Sequence, residues 1–133
     1  MTETVTFFRE NDESLIIVDA KINDSVLHLA FDTGATHTVI DLTALLVAGV
    51  ELPKNKETSL FETANGVLEA RVLNVPIMSF ANIKRPNFTL TTYDYLAQGI
   101  LTDIDGVLGL DFLQGYKFCV DTVKYELSFT KIE

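Results

Sequence analysis

Asp32 is the residue of this chain that its neighbours best prepare for chemistry. It stands in HLAFDTGATHTVID, residues 28–41, at the end of an apolar strand-like run and directly before Thr33 and Gly34. Glycine allows a sharp turn and close backbone approach, and a threonine can hydrogen-bond through its hydroxyl. Such a turn holds a carboxylate at the edge of a core. Paired with a second carboxyl group, it can take a proton from water while its partner donates one. Read alone, Asp-Thr-Gly is also the start of an ordinary Asx turn.

The elements that must position this turn read as strands. TVTFF (4–8), SLIIVDAKI (14–22), SVLHLAFD (25–32), SLFET (59–63), VLEARVLNVPIMSF (67–80), FTLTTYDY (88–95), YKFCVD (116–121) and ELSFT (126–130) are short Val-, Ile-, Phe- and Thr-rich runs between turn signals. That pattern predicts an all-β domain. KINDSV (21–26) and VDTVKYEL (120–127) read as hairpin turns, and Asn65-Gly66 is the strongest hairpin signal in the chain, since a type I′ turn needs positive φ at both central residues. DLTALLVAGVEL (41–52) predicts one short helix, capped at Asp41 or Thr43 and stopped at Gly49; LGLDFLQGY (108–116) predicts a second, stopped at Gly115. With 133 residues and no linker, low-complexity tract or close repeat, residues 1–133 are expected to form a single domain.

The flanks of the triplet carry more information than the triplet. FDTGATHTVID continues with Ala35, and far downstream comes DGVLGLDFL, where two apolar residues and a glycine, Val107-Leu108-Gly109, precede the second candidate helix. In these residues, and in their order along the chain, the sequence resembles the retropepsin-like aspartic peptidases, the single-lobed relatives of pepsin. The resemblance implies a closed, acid-protease-like β-barrel with one or two short helices, one lobe per chain. It places Asp32 as the catalytic residue, Thr33, Gly34 and Ala35 in the active-site loop, and Val107, Leu108 and Gly109 as its support. Ala64, Asn65 and Gly66 fall at the tip of the family's substrate-gripping flap. The chain departs from the retroviral form where an Arg just after the second glycine pairs with an Asp after the triplet: those places hold Leu110 and Thr36, so that ion pair is absent.

The chemistry implied needs two carboxylates sharing a proton, and one triplet supplies one. Asp105 lies inside the second motif, Asp121-Thr122 is followed by Val123 rather than glycine, and Asp103, Asp111 and Asp19 lack a matching context. The expected answer is a homodimer with one Asp32 from each subunit across a two-fold axis. The apolar, strand-like ends TVTFF and ELSFTKI suit an intersubunit sheet. A peptide or protein substrate would lie extended between the subunits, its backbone pairing with the hairpin tips. Ala30, His37, Val39, Ile77, Phe80 and Leu108 are candidate pocket walls. His28 shares Asp32's strand parity and reads as a structural histidine near the core; Phe7-Phe8 and Tyr93/Tyr95 read as packing residues. The other function class open at this point is a dimeric binding or assembly module of the same fold that cleaves little or nothing.

Bulk properties narrow the partners. A net charge of −9, with ten scattered Lys and Arg against nineteen Asp and Glu, argues against nucleic acid. His28 and His37 stand far apart with no cysteine beside them, so neither a metal site nor a cofactor is expected. Lone Cys119 excludes an internal disulfide, fits a reducing compartment and reads as a small buried thiol. MTETVTFFRE lacks the basic start and long apolar run of a secretory signal, and no window approaches the roughly 18 apolar residues that span a bilayer. A cytoplasmic protein without membrane contact is the expectation.

Overall fold

The computed structural model describes residues 2–52, 58–63 and 66–133. Its strands are β1 (Thr2–Thr6), β2 (Ile17–Ile22), β3 (Ser25–Phe31), β4 (Val39–Asp41), β5 (Thr58–Thr63), β6 (Gly66–Phe80), β7 (Ile83–Tyr93), β8 (Gly106–Leu108), β9 (Tyr116–Asp121) and β10 (Glu126–Lys131), with one helix, α1 (Leu42–Val47). Six strands close into a barrel in the order β2-β3-β8-β4-β7-β6, and β6 returns to β2 through Ala20↔Phe80, Lys21↔Ser79 and Ile22↔Met78. Closure leaves these strands few free edges. β5 hangs outside the ring, paired only with the first part of β6. The fold is the all-β, acid-protease-like single lobe that the motifs imply.

Alternation explains the barrel wall. Along β2 the side chains of Val18, Ala20 and Ile22 are buried while Asp19 and Lys21 face out, and β3 buries Leu27 and Leu29 while exposing Val26 and His28. This period of two is what a half-buried strand needs. Each fully buried Leu or Ile contributes about 1.5–3 kcal/mol relative to exposure, and Ile22, Leu29, Ile40, Leu108 and Leu127 share one continuous core. The turn after β2 bends at Asn23, whose φ of 54° asparagine tolerates.

A second sheet, β1-β10-β9, packs against the barrel. Phe129 of β10 meets Phe80 edge-to-face at 5.2 Å, Phe118 of β9 meets Phe31 at 5.5 Å, and Phe7 stacks on Tyr125 at 5.2 Å. The chain ends therefore pair with each other, Thr2↔Thr130 through Thr6↔Glu126, and β10 is occupied on both sides. Within this sheet only β1 and β9 keep an outer edge; β10 has none. Phe8 is 66% exposed, so only Phe7 of that pair packs. Cys119 is exposed rather than buried, because Phe118 takes the inward position on β9.

α1 ends as expected, with Gly49 at φ 80° just beyond it. Its start differs: the Asp41 carboxylate makes no cap and instead accepts the Tyr95 N–H at 3.0 Å. The second expected helix is not formed. Over residues 109–116 the N–H groups of Phe112, Leu113 and Tyr116 reach back three residues, to Gly109, Leu110 and Leu113, so the segment is a succession of tight turns. Among the described residues no helix is long and apolar enough to cross a membrane.

Candidate active site

β3 delivers Phe31 to the core and then leaves the sheet. The Asp32 N–H donates to the Leu108 carbonyl at 3.1 Å, the Gly34 N–H donates to Asp32 Oδ1 at 2.8 Å, and the Ala35 N–H donates to the Asp32 carbonyl at 3.2 Å. The triplet is thus a closed Asx turn with its carboxylate exposed. Glycine at 34 leaves room for the carboxylate, since an added Cβ would sit a tight 3.1 Å from Asp32 Oδ1. Thr33 is exposed, and among the described residues its hydroxyl makes no hydrogen bond. Ala35 is half-buried.

The second motif forms β8 and the turn after it. β8 runs between the strands that enter and leave the Asp32 loop: Ala30↔Val107 and Phe31↔Leu108 are parallel, Val39↔Val107 antiparallel. Leu108 is fully buried beneath the loop. Gly109 is in backbone contact with it, because a Cβ there would lie 2.7 Å from the His37 carbonyl carbon and 2.9 Å from the Ala35 oxygen. The Leu110 N–H then donates to the Ala35 carbonyl at 2.9 Å.

Two residues that sequence reasoning did not select lock these loops together. The fully buried Thr38 donates its hydroxyl to Asp111 Oδ1 at 2.7 Å and accepts the Gly109 N–H at 3.1 Å; its own N–H lies 3.0 Å from both Asp111 oxygens. Asp111 Oδ1 also accepts the Phe112 N–H at 2.8 Å. The available signal was parity: Thr38 shares the inward phase of Ile40, and a hydroxyl placed inward must find a partner.

The remaining sequence candidates separate. Ala30, Phe80 and Leu108 belong to the core rather than to a groove, Val39 is half-buried, and His37 is exposed on the Asp32 loop with Nδ1 2.9 Å from Thr36 Oγ1. Ile77 is exposed but accepts the Asn23 N–H beside the β2–β3 turn, a strand length of ~20 Å from Asp32. His28 is on the outer wall, its ring 57% exposed and its Nδ1 2.7 Å from Asp19 Oδ1; the parity argument fails because Asp32 has left the strand. Gly66 opens β6 opposite Thr63, while Ala64 and Asn65 lie outside the described residues. Tyr93 and Tyr95 do pack, with rings 4.9 Å apart; burial raises both phenols above their ordinary range, and Tyr95 strongly.

Four of the five other acids weighed as a second carboxylate have their own work. Asp105 accepts the His28 N–H at 2.9 Å, Asp19 holds the His28 ring, and Asp111 holds Thr38. Asp121 accepts the Lys124 and Val123 N–H groups at 2.9 Å, which hold its carboxyl below the usual range. Asp103 is exposed in the loop before β8. Among the described residues no three His, Cys, Asp or Glu side chains gather as a metal site would require.

An exposed Asx-turn aspartate buttressed by a second apolar-glycine motif is matched by sequence comparison. Residues 18–112, from β2 to Phe112 and including both motifs, fit the family described as Aspartyl protease. The chain belongs to the aspartyl protease family. This protease-family chain also superposes on the crystal structure of a retropepsin-like aspartic protease from Rickettsia conorii, with a TM-score of 0.69 and 22% identity over 97% of this chain and 91% of that one. At that identity the likeness is one of fold. No curated protein sequence matches the chain.

Proposed function

We propose that this aspartyl protease-family chain is a single catalytic domain that cleaves peptide bonds as a homodimer, with Asp32 of each subunit forming the dyad. The observation that carries the reading is the Asp32 turn itself: its carboxylate is exposed and its backbone is anchored to Leu108, while the neighbouring acids are engaged elsewhere. A two-fold axis beside the turn would bring the two carboxylates to about 3 Å, where like charges do not both ionise and the pair keeps one proton. The ionised member takes a proton from a water between them as the water oxygen bonds to the scissile carbonyl carbon, and the neutral member gives its proton to the carbonyl oxygen. Collapse of that tetrahedral species breaks the C–N bond, and the departing amine leaves with a proton returned by the dyad.

Thr33 supports this reading, since its exposed hydroxyl is free to brace the opposite loop. The outer edge of β9 lies close to the site, because Phe118 touches Phe31, the residue before Asp32. The β5–β6 hairpin, including Gly66, would cover an extended substrate. No metal or cofactor enters these steps. Lone, exposed Cys119 supports a reducing, cytoplasmic setting.

The test is cleavage of a mixed peptide library from about pH 3 to 7, for wild type and Asp32→Asn, with solution mass measured across a dilution series. The expected outcome is cleavage by wild type alone, with activity per chain falling as the dimer dissociates. Activity that survives Asp32→Asn, or that stays constant per chain in a monomer, would sink the dyad. A stable dimer that captures peptides and leaves them intact would instead establish the binding-module class.

A further inference from the structure

We propose that Arg85 is a positioning residue for the active-site loop, fixing the 109–116 turn from β7 and, through that turn, the loop that carries Asp32. Its guanidinium lies between two rings, with Cζ 5.7 Å from the centroid of Phe112 and 5.6 Å from that of Tyr116. Nε donates to the Phe112 carbonyl at 3.0 Å, and Nη2 donates to the Gln114 carbonyl. Other carbonyls of this turn are satisfied by backbone: Gly109 by Phe112, Leu110 by Leu113, Leu113 by Tyr116. Arg85 supplies donors for two carbonyls, those of Phe112 and Gln114, that these tight turns leave over.

The turn it holds is the one that touches the Asp32 loop. Phe112 is fully buried and meets Phe88 of β7 edge-to-face at 5.4 Å, so Arg85 and Phe88 clamp it from one strand. From Phe112 the connection is short: its N–H binds Asp111, Asp111 binds Thr38, Gly109 presses on Ala35 and His37, and Leu110 bonds Ala35. A planar guanidinium suits this place because it stacks on rings and directs several donors at once, which an ammonium does not. Its charge has no carboxylate partner among the described residues, which points to a fastening role rather than an ion pair.

The kinetic half of this proposal rests on the peptidase reading above; the structural half does not. The experiment compares wild type, Arg85→Met and Arg85→Lys by kcat and KM per active site, titrated with a tight-binding transition-state mimic, and by hydrogen exchange of the Leu110 amide. In Arg85→Met kcat per titrated site is expected to fall about ten- to a hundredfold with KM nearly unchanged, as displacement of the reacting group without loss of substrate contacts requires. Leu110 exchange should quicken, and Arg85→Lys should fall between. A variant with fewer active sites but wild-type kcat per site and wild-type Leu110 exchange would overturn the proposal, since that is what a purely stabilising residue gives. If Arg85→Met does not fold, Arg85→Lys carries the same comparison. If wild type itself cleaves nothing, the peptidase reading fails, and Leu110 exchange alone decides: quickened supports the fastening role, unchanged refutes it.

Discussion

Replacing Gly109 by alanine is a severe perturbation for one carbon atom. The new Cβ would lie 2.7 and 2.8 Å from the carbonyl carbon and oxygen of His37 and 2.9 Å from the Ala35 oxygen, all backbone atoms that cannot rotate aside. Ordinary contact begins near 3.4 Å, so the two loops must part by roughly 0.5–0.7 Å. Overpacking of this kind costs about 1–3 kcal/mol, equivalent to a fall of about 0.5–1.5 M in the urea midpoint at fixed protein concentration. Ala35 is three residues from Asp32 and shares its turn, so the same displacement should cost about ten- to a hundredfold in kcat on a peptide substrate. Gly49→Ala is the control: nothing stands within 4 Å of its Cβ, but φ is 80°, so it should lose about 1 kcal/mol and leave kcat unchanged. A Gly109→Ala protein with wild-type midpoint and wild-type kcat would refute the buttressing of the Asp32 loop by the second motif.

Asp111→Asn should lower stability by about 1.5–3 kcal/mol, read from the urea midpoint, because it removes a charged acceptor shared by Thr38 and Phe112. Thr38→Val should cost a comparable amount by leaving the Gly109 N–H without its acceptor and taking one of three donors from Asp111, and should also reduce kcat. Stability should decline as pH rises above the ordinary tyrosine value of 10.0, because burial keeps Tyr93 and Tyr95 protonated in the folded chain while their unfolded phenols ionise. Urea midpoints at about pH 9 and about pH 11, with Tyr95→Phe flattening the difference, check the sign.

The Asp32 turn and the Val107-Leu108-Gly109 motif were legible because their chemistry is local: an acid, a hydroxyl, glycines that permit close approach. Of the strands that frame them, β3 was read from SVLHLAFD, but β4 and β8 were not. β4 and β8 are three residues each, too short for alternation to show, and β8 is enclosed by β3 and β4. β7 begins at Ile83, before Pro86 and before Asn87 at φ 50°, two features that read as a strand boundary and prove to be an irregularity within the β6 pairing. LGLDFLQGY resembles a helix in composition, yet its Asp111 turns to Thr38, a long-range partner that no local rule contains. Arg85 was silent for the same reason, since the carbonyls and rings that define its place lie in the turn before β9.

The threading of β8 between β3 and β4 also governs when the site can exist. His28 and Asp105 are bonded across 77 residues, and the β1–β10 pairing joins Thr2 to Thr130 across 128. Pairings so distant in sequence raise contact order and slow folding, because loop closure must precede the contacts that reward it. A ribosome that has released Asp32 but not Leu108 has made a chain without the acceptor for the Asp32 N–H and without the floor of its loop. The architecture therefore sets an order of assembly: the Asp32 loop gains its floor only when residues 106–108, made more than seventy residues after it, slot between β3 and β4.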